Sequence, residues 1–228
     1  MKQLYKTVFN EFKDLTRTEL ACLIFVFILI TFNALFLNDC KLAVISAVCG
    51  ILYTVFAGKG KLYCYIFGLA GTCIYAYLAF INTLYGNCLL YLCYYLPMQI
   101  LGIIHWKKHL KKESLEIYKT GLPAKDYLKL FLTSFLMCLT ACAILFILKD
   151  NHPVLDGCAT ALSIIGMYLT VKRAIEQWYV WGVVNLLSLT MWILVIIQGQ
   201  KTYSTALMWG TYLFLSFYFY KKWKKEIE

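Results

Sequence analysis

The sequence predicts an all-α polytopic membrane protein of eight spanning helices, one extra N-terminal helix ahead of a 3+1+3 core of parallel repeats. Three observations carry this. Of 228 residues, 61% are apolar or aromatic and 15% are charged, only three are proline, and the mean hydropathy is +0.68. That composition lies outside the range of soluble domains. Eight apolar segments, roughly 20–37, 42–57, 62–81, 88–105, 129–148, 155–171, 179–198 and 203–220, each approach the ~20 residues a spanning helix needs. Finally, lysine and arginine crowd alternate connections, as they do when successive loops take opposite sides of a bilayer.

Taken in order, the first eighteen residues (MKQLYKTVFNEFKDLTRT) mix charges and hold no apolar core of a signal peptide. They fit a short amphipathic helix on the cytoplasmic surface, with Leu4, Val8, Phe12 and Leu15 toward lipid. The second and sixth segments are short for a span. Polar residues such as Asn33, Asn82, Gln99 and Asn185 interrupt the segments singly. With the N-terminus in the cytoplasm, nineteen of the 22 Lys and Arg lie inside, and Lys41, Lys149 and Lys201 lie outside. The bias holds loop by loop and places both termini in the cytoplasm. It accounts for the net charge of +10 without a nucleic-acid partner.

The longest loop, about 106–128, divides the chain. YIFGLAG (Tyr65–Gly71) aligns with YVWGVVN (Tyr179–Asn185) at an offset of 114, Tyr95 with Tyr212 at 117, and Gly50 roughly with Gly166. The organisation read from this has four parts. Residues 1–41 form the amphipathic N-terminus and extra helix, and 42–106 a first three-helix unit. Residues 107–150 form a cytoplasmic loop and linker helix, and 151–228 a second three-helix unit with a basic tail. One linker helix between the units gives both the same orientation, the duplication seen in SWEET-type transporters.

The richest stretch runs from Trp178 to Trp192, WYVWGVVNLLSLTMW. On a helix, Trp178, Trp181, Asn185, Ser188 and Trp192 share one face, with nothing charged between Glu176 and Lys201. Indole faces can hold a ring, and Asn185 can donate and accept hydrogen bonds. Trp178 would also fit an interfacial aromatic belt, and Trp192 packing against a neighbour. Asn185 must face protein, water or ligand, because an unpaired amide in hydrocarbon costs several kcal/mol. Thr160 and Ser163 sit i,i+3 on the sixth segment with Gly166 on the same side. Tyr95 and Gln99 sit i,i+4 on the fourth with Gly102. The alternatives are local: Thr160 and Ser163 can bond back to their own helix, and Gln99 can cap a carbonyl freed at Pro97. Tyr53, Tyr75, Asn82, Tyr168 and Tyr212 are further candidates that packing would also explain.

Several classes are excluded. No Asp, Glu, Lys or Arg lies deep inside a segment, and Asp156 and Glu176 sit at segment ends. Proton- or ion-coupled carriers need such groups, so uncoupled diffusion is the expectation. Walker A, GxSxG and HExxH patterns are absent, and no histidine is spaced to activate Ser163 or Ser188, so the chain is not read as an enzyme. The ten cysteines form no CxxC, most lie in apolar segments, and Cys138 and Cys142 alone make no zinc site. His105 and His109 have no nearby ligand partners, so neither metal nor cofactor is expected. Without a basic residue in the segments, the solute is a neutral or cationic ring system rather than an anion.

Those residues resemble the PnuC family of vitamin transporters. The likeness rests on LYGNCLLY (Leu84–Tyr91), Gln99-x-x-Gly102 with Trp106, and Asp156-x-x-x-Thr160-x-x-Ser163. Above all it rests on EQWYVWGVVN (Glu176–Asn185), similar to the family's E-x-W-x-x-W-x-x-x-N pattern. Ile103 stands where many members carry a second Trp. The resemblance implies a fold like a full-length SWEET transporter and a homo-oligomer, a trimer, in the inner membrane. It implies uptake of nicotinamide riboside for NAD synthesis by facilitated diffusion, with trapping by a cytosolic riboside kinase. It also implies a site lined by Trp178, Trp181, Asn185, Thr160, Ser163 and Gln99, to which the residues' own pattern adds Tyr95, Ser188, Trp192 and Tyr212. Thiamine or riboflavin, a sugar carried SWEET-fashion, and a non-transporting scaffold are the rival readings.

Overall fold

The computed structural model describes residues 16–36, 41–81, 85–111, 116–150, 152–199 and 203–227. The N-terminal segment with Leu4, Val8, Phe12 and Leu15, and Asn82, lie outside the described residues. The described chain is all-α: α1 (Arg17–Phe36), α2 (Lys41–Gly58), α3 (Cys64–Ile81), a compound α4, α5 (Ala124–Ile147), α6 (Pro153–Val171), α7 (Gln177–Ile197) and α8 (Tyr203–Ile227). The compound helix runs as α-helix over Tyr85–Leu90, as a π turn over Tyr91–Tyr95, and as α-helix again over Leu96–Lys107. Among the described residues Cys88–Lys107, Ala124–Ile147 and Pro153–Val171 are long and apolar enough to cross a membrane. Val44–Gly58 and Cys64–Leu78 are shorter apolar stretches.

Local chemistry sets the ends. Thr16 and Glu19 form a capping box at the start of α1, each side chain accepting the other's backbone N–H at 3.3 and 3.0 Å. Glu19, buried, also accepts from Lys222 of α8 at 3.0 Å, tying the extra helix to the last one. The sequence reading begins the fifth span near 129, yet α5 begins at Ala124. Pro123, extended at φ −65 and ψ 146, stops the preceding loop, and polar Lys125, Asp126 and Lys129 fill turns that an apolar window misses. Likewise the basic stretch Lys221–Lys225 continues α8 as helix to Ile227.

The π turn has a cause in the sequence. Pro97 has no N–H, and its ring displaces the carbonyl four residues back. The ladder slips by one residue ahead of it, with the Leu96 N–H donating to the Tyr91 carbonyl. The extra residue rotates Tyr91, Tyr94 and Tyr95 relative to Gln99.

Helices α2, α3 and α4 pack as one bundle and α6, α7 and α8 as another. They join where α4 meets α6 and where α8 meets α2. Helix α5 packs along α6, where Gly157 allows close approach: a Cβ there would lie 2.8 Å from the Cys142 backbone N. Its other faces expose Phe131, Leu132, Phe135 and Leu136. The core lies between the bundles toward the end carrying the lysines. Trp106, Trp223, Tyr65, Phe56 and Phe219 are its largest fully buried side chains.

At that basic end α2 and α6 finish in the same way. Gly60 (φ 69) and Arg173 (φ 61) are left-handed, and the next N–H groups, of Lys61 and Ala174, reach back to the carbonyls of Phe56 and Leu169. The segment between the bundles then pairs with both turns. Ile117 N–H donates to Gly60 O (2.9 Å) and Thr120 N–H to Arg173 O (3.0 Å). Glu116 adds an ion pair to Lys61 at 3.2 Å. Burial pushes the Glu116 carboxyl up, but Lys61, Lys111 and Lys119 outweigh it and hold the group below its ordinary value. The loop expected at 106–128 is thus a strap across both bundles.

Candidate functional site

Where the bundles meet, polar and aromatic side chains form three linked groups. In the first bundle, Gln99 on α4 donates through Nε2 to Thr72 Oγ1 on α3 at 2.5 Å. Its Oε1 is buried and unpartnered, and Nε2, the one atom able to donate to a carbonyl near Pro97, is spent on Thr72 instead. Gly68 makes room for it: a Cβ there would stand 2.5 Å from Gln99 Oε1 and 2.8 Å from the Tyr53 ring.

In the second bundle, Asn185 donates to Ser216 Oγ at 3.0 Å, and Ser216 donates to the Tyr212 carbonyl at 2.9 Å. Trp181 donates through Nε1 to Thr170 Oγ1 at 3.1 Å and lies over Gly166, where a Cβ would stand 2.9 Å from its ring. Trp178 is buried against Phe219 and Trp223, at ring distances of 5.3 and 5.6 Å, with its Nε1 unpartnered.

The third group crosses the seam. Tyr95 donates to Ser163 Oγ at 2.9 Å, and Tyr94 to the Ile164 carbonyl at 2.6 Å. Ser163 in turn bonds back to the Thr160 carbonyl at 2.8 Å, as hydroxyls on apolar helices do. Thr160 reaches Asp156 at 3.4 Å. Tyr91 stacks on Tyr75 at 4.3 Å and touches Tyr95 at 4.9 Å. Tyr212 stands against Gly50, whose Cβ would lie 2.8 Å from its hydroxyl.

The structure therefore brings Trp178, Trp181, Asn185, Gln99, Tyr95, Ser163, Thr160 and Tyr212 to the seam. Ser188 is buried and Trp192 half-buried further along α7, with no bond or ring contact to that set among the described residues. Tyr168 points outward at 50% exposure. Sequence reasoning missed Thr72, Tyr94, Thr170 and Ser216. Three of these, Thr72, Thr170 and Ser216, are single hydroxyl residues in apolar helices, a type that usually bonds its own backbone. Tyr91 stood in a quoted motif without a role. The two open grooves described lie elsewhere, one between Phe25, Ile193, Leu207 and Phe214 and the other between Cys73, Phe80 and Leu92. Their walls are apolar, as lipid-facing grooves are. The seam, not the grooves, carries chemistry.

What the seam can do follows from its groups. It offers two amides, several hydroxyls and indole and phenol faces, with no Lys or Arg side chain bonded to any of them among the described residues. Such a wall suits an uncharged or cationic ring with hydroxyl substituents. Among the described residues no cluster of His, Cys, Asp or Glu could hold a metal ion.

A family model described as nicotinamide mononucleotide transporter matches residues 41–225. The nicotinamide riboside transporter PnuC of Neisseria mucosa is 34% identical, over 83% of this chain and 74% of its own length. That of Haemophilus influenzae is 30% identical, over 83% of this chain and 82% of its own. A crystal structure of the vitamin B3 transporter PnuC has a TM-score of 0.77 at 33% identity, covering 92% of both chains. Matched across α2 to α8 and in three-dimensional fold, this chain belongs to the PnuC family of membrane transporters.

Proposed function

We propose that this protein imports nicotinamide riboside across the cytoplasmic (inner) membrane by facilitated diffusion. The observation that carries the reading is the indole, phenol and amide wall between the bundles, free of basic side chains. Two relatives bear the riboside in their names, whereas the family model names the mononucleotide. The wall favours the riboside: a phosphate dianion would find no Lys or Arg there, and burying it unpaired costs several kcal/mol. The pyridinium would face the indoles, gaining about 0.5–2 kcal/mol each, and the ribose hydroxyls and carboxamide would exchange hydrogen bonds with Gln99, Asn185 and Ser163.

Transport follows by alternating access, with the two bundles rocking about the seam. Eight spans with both termini inside agree with the charge distribution. Equivalent contacts of the two bundles support the 3+1+3 repeat similar to a SWEET transporter. Trp178, Trp181 and Asn185 fall 113 positions after Tyr65, Gly68 and Thr72, and Ser216 and Trp223 fall 117 after Gln99 and Trp106. The register is thus one residue from the offset of 114 that the motif alignment gives, and Gly166 answers to Tyr53 rather than Gly50. The one carboxyl among the bonded seam residues, Asp156, sits in the first turn of α6, and no Asp, Glu, Lys or Arg stands deeper in the segments to couple an ion. Flux therefore runs down the gradient, which a cytosolic riboside kinase would keep steep. The assembly is a homotrimer in this reading.

Uptake into proteoliposomes tests it. Labelled riboside should equilibrate to equal internal and external concentrations, unaffected by a protonophore. Accumulation above equality that the protonophore abolishes would replace diffusion with proton coupling, and absence of flux in sealed, protein-bearing vesicles would favour the scaffold.

A further inference from the structure

Two indoles outside the seam cross between the bundles in reciprocal fashion. Trp106, at the basic end of α4, donates its Nε1–H to the Thr170 carbonyl on α6 at 2.9 Å. Trp223, at the corresponding level of α8, donates to the Gly58 carbonyl on α2 at 2.6 Å. Both indoles are fully buried. Their acceptors lie in the last turn of each helix, where carbonyls lack the usual i+4 donor (the Thr170 carbonyl also takes the Arg173 N–H at 3.0 Å), so each bundle caps a helix of the other.

Each cap is one contact from a seam indole. Trp223 packs edge-on against Trp178, at 5.6 Å and 81°. On the other side the link is Thr170, 2% exposed, three of whose bonds make the connection. Its carbonyl takes the Trp106 N–H, its hydroxyl oxygen takes the Trp181 N–H, and its hydroxyl hydrogen goes to the Gly166 carbonyl at 2.8 Å. The hydroxyl thus has a fixed direction: with its proton on Gly166, its lone pair faces the indole. Gly166 lies beneath the same indole ring.

We propose that Thr170 is a positioning residue of the transport site, aiming Trp181 with its hydroxyl while its carbonyl carries a cross-bundle latch that, with the Trp223–Gly58 bond, holds the basic end shut. The latch bonds break as that end opens and reform as it closes. Because Thr170 serves both bonds, movement of Trp181 on a bound ring is felt at the Trp106 cap. This inference rests on the transport reading for the ligand used to test it, but the latch itself has an independent readout.

Thr170→Val keeps shape and carbonyl and removes the hydroxyl. It should weaken nicotinamide riboside binding, measured calorimetrically, about tenfold, and Thr170→Ser should restore it to within about threefold. A merely structural role would not be rescued by the smaller serine. The latch is read at Cys64, fully buried at the basic end of α3. Trp106→Phe and Trp223→Phe keep a ring and lose the N–H, and each should speed N-ethylmaleimide modification of Cys64, followed by peptide mass, about tenfold in folded protein. Unchanged Cys64 kinetics in both Phe variants would overturn the latch. Unchanged riboside affinity in Thr170→Val would overturn the positioning role. If the wild type binds no riboside while Cys64 still responds to both Phe variants, the latch stands and the substrate is wrong.

Discussion

The two bundles solve one packing problem with opposite residues. Where the first sets Tyr53 of α2 over Gly68 of α3, the second sets Trp181 of α7 over Gly166 of α6. The large ring and the glycine have changed helices. The amide pair is exchanged likewise: Gln99 on α4 bonds Thr72 on α3, whereas Asn185 on α7 bonds Ser216 on α8. At the basic end Gly60 answers to Arg173 in the same left-handed turn. Volume and hydrogen-bond count are kept while identity is not, because a close-packed seam constrains the sum across facing helices. The exchange also makes the site asymmetric. Both large indoles come from the second bundle, and the first contributes phenols and the longer amide.

Several changes would break or sharpen that comparison. The largest effect should come from the exchanged amides. Gln99→Ala and Asn185→Ala each remove a partner from a buried hydroxyl and, in the proposed reading, a ligand contact, and each should weaken riboside binding about 10–100-fold by calorimetry. Loss in one alone would show that only that bundle grips the ligand. Next come the glycines beneath the rings. Gly68→Ala meets Gln99 and Tyr53 at 2.5 and 2.8 Å, and Gly166→Ala meets Trp181 at 2.9 Å, so each ring must move. An affinity loss of about tenfold is expected for both.

Smaller effects belong to the turns. Gly60→Ala forces a side chain into φ 69 and should cost about 1–2 kcal/mol, read as a lower Tm. Arg173→Gly should change stability by less than about 1 kcal/mol, because relief of its left-handed strain offsets the lost bond to the Tyr118 carbonyl. The least effect is that of pH on the strap. The Glu116 carboxyl titrates below its ordinary value of 4.5, so its contribution is complete above that pH and lost as pH falls through the lower folded value. The Tm difference between wild type and Glu116→Gln should therefore persist at pH 7 and vanish in acid. A difference that grows in acid would contradict the ion pairing.

Helicity and element order were legible in the sequence, because apolar length and the alternation of lysines are strong signals. The helix ends were less so. Ala124–Leu128 and Lys221–Ile227 are polar helix, invisible to an apolar window. The π turn needed the consequence of Pro97 worked out two to six residues upstream. For the site, Trp178, Trp181 and Asn185 could be placed on one face from spacing alone. Their partners could not, since Thr170 and Ser216 read as ordinary residues until α6 and α8 are set beside α7. The proposed repeat is faint in the sequence for the reason given above: a tyrosine over glycine and a glycine under tryptophan align with nothing.

Calorimetric titration of detergent-purified protein with nicotinamide riboside, its mononucleotide and thiamine, with Trp181→Ala alongside, tests the central claim most directly. The account predicts tight riboside binding, mononucleotide binding weaker by at least about a hundredfold, and riboside binding lost in the mutant while its Tm stays within a few degrees of wild type. Binding of the mononucleotide as tight as that of the riboside, or an unchanged riboside affinity in Trp181→Ala, would contradict it.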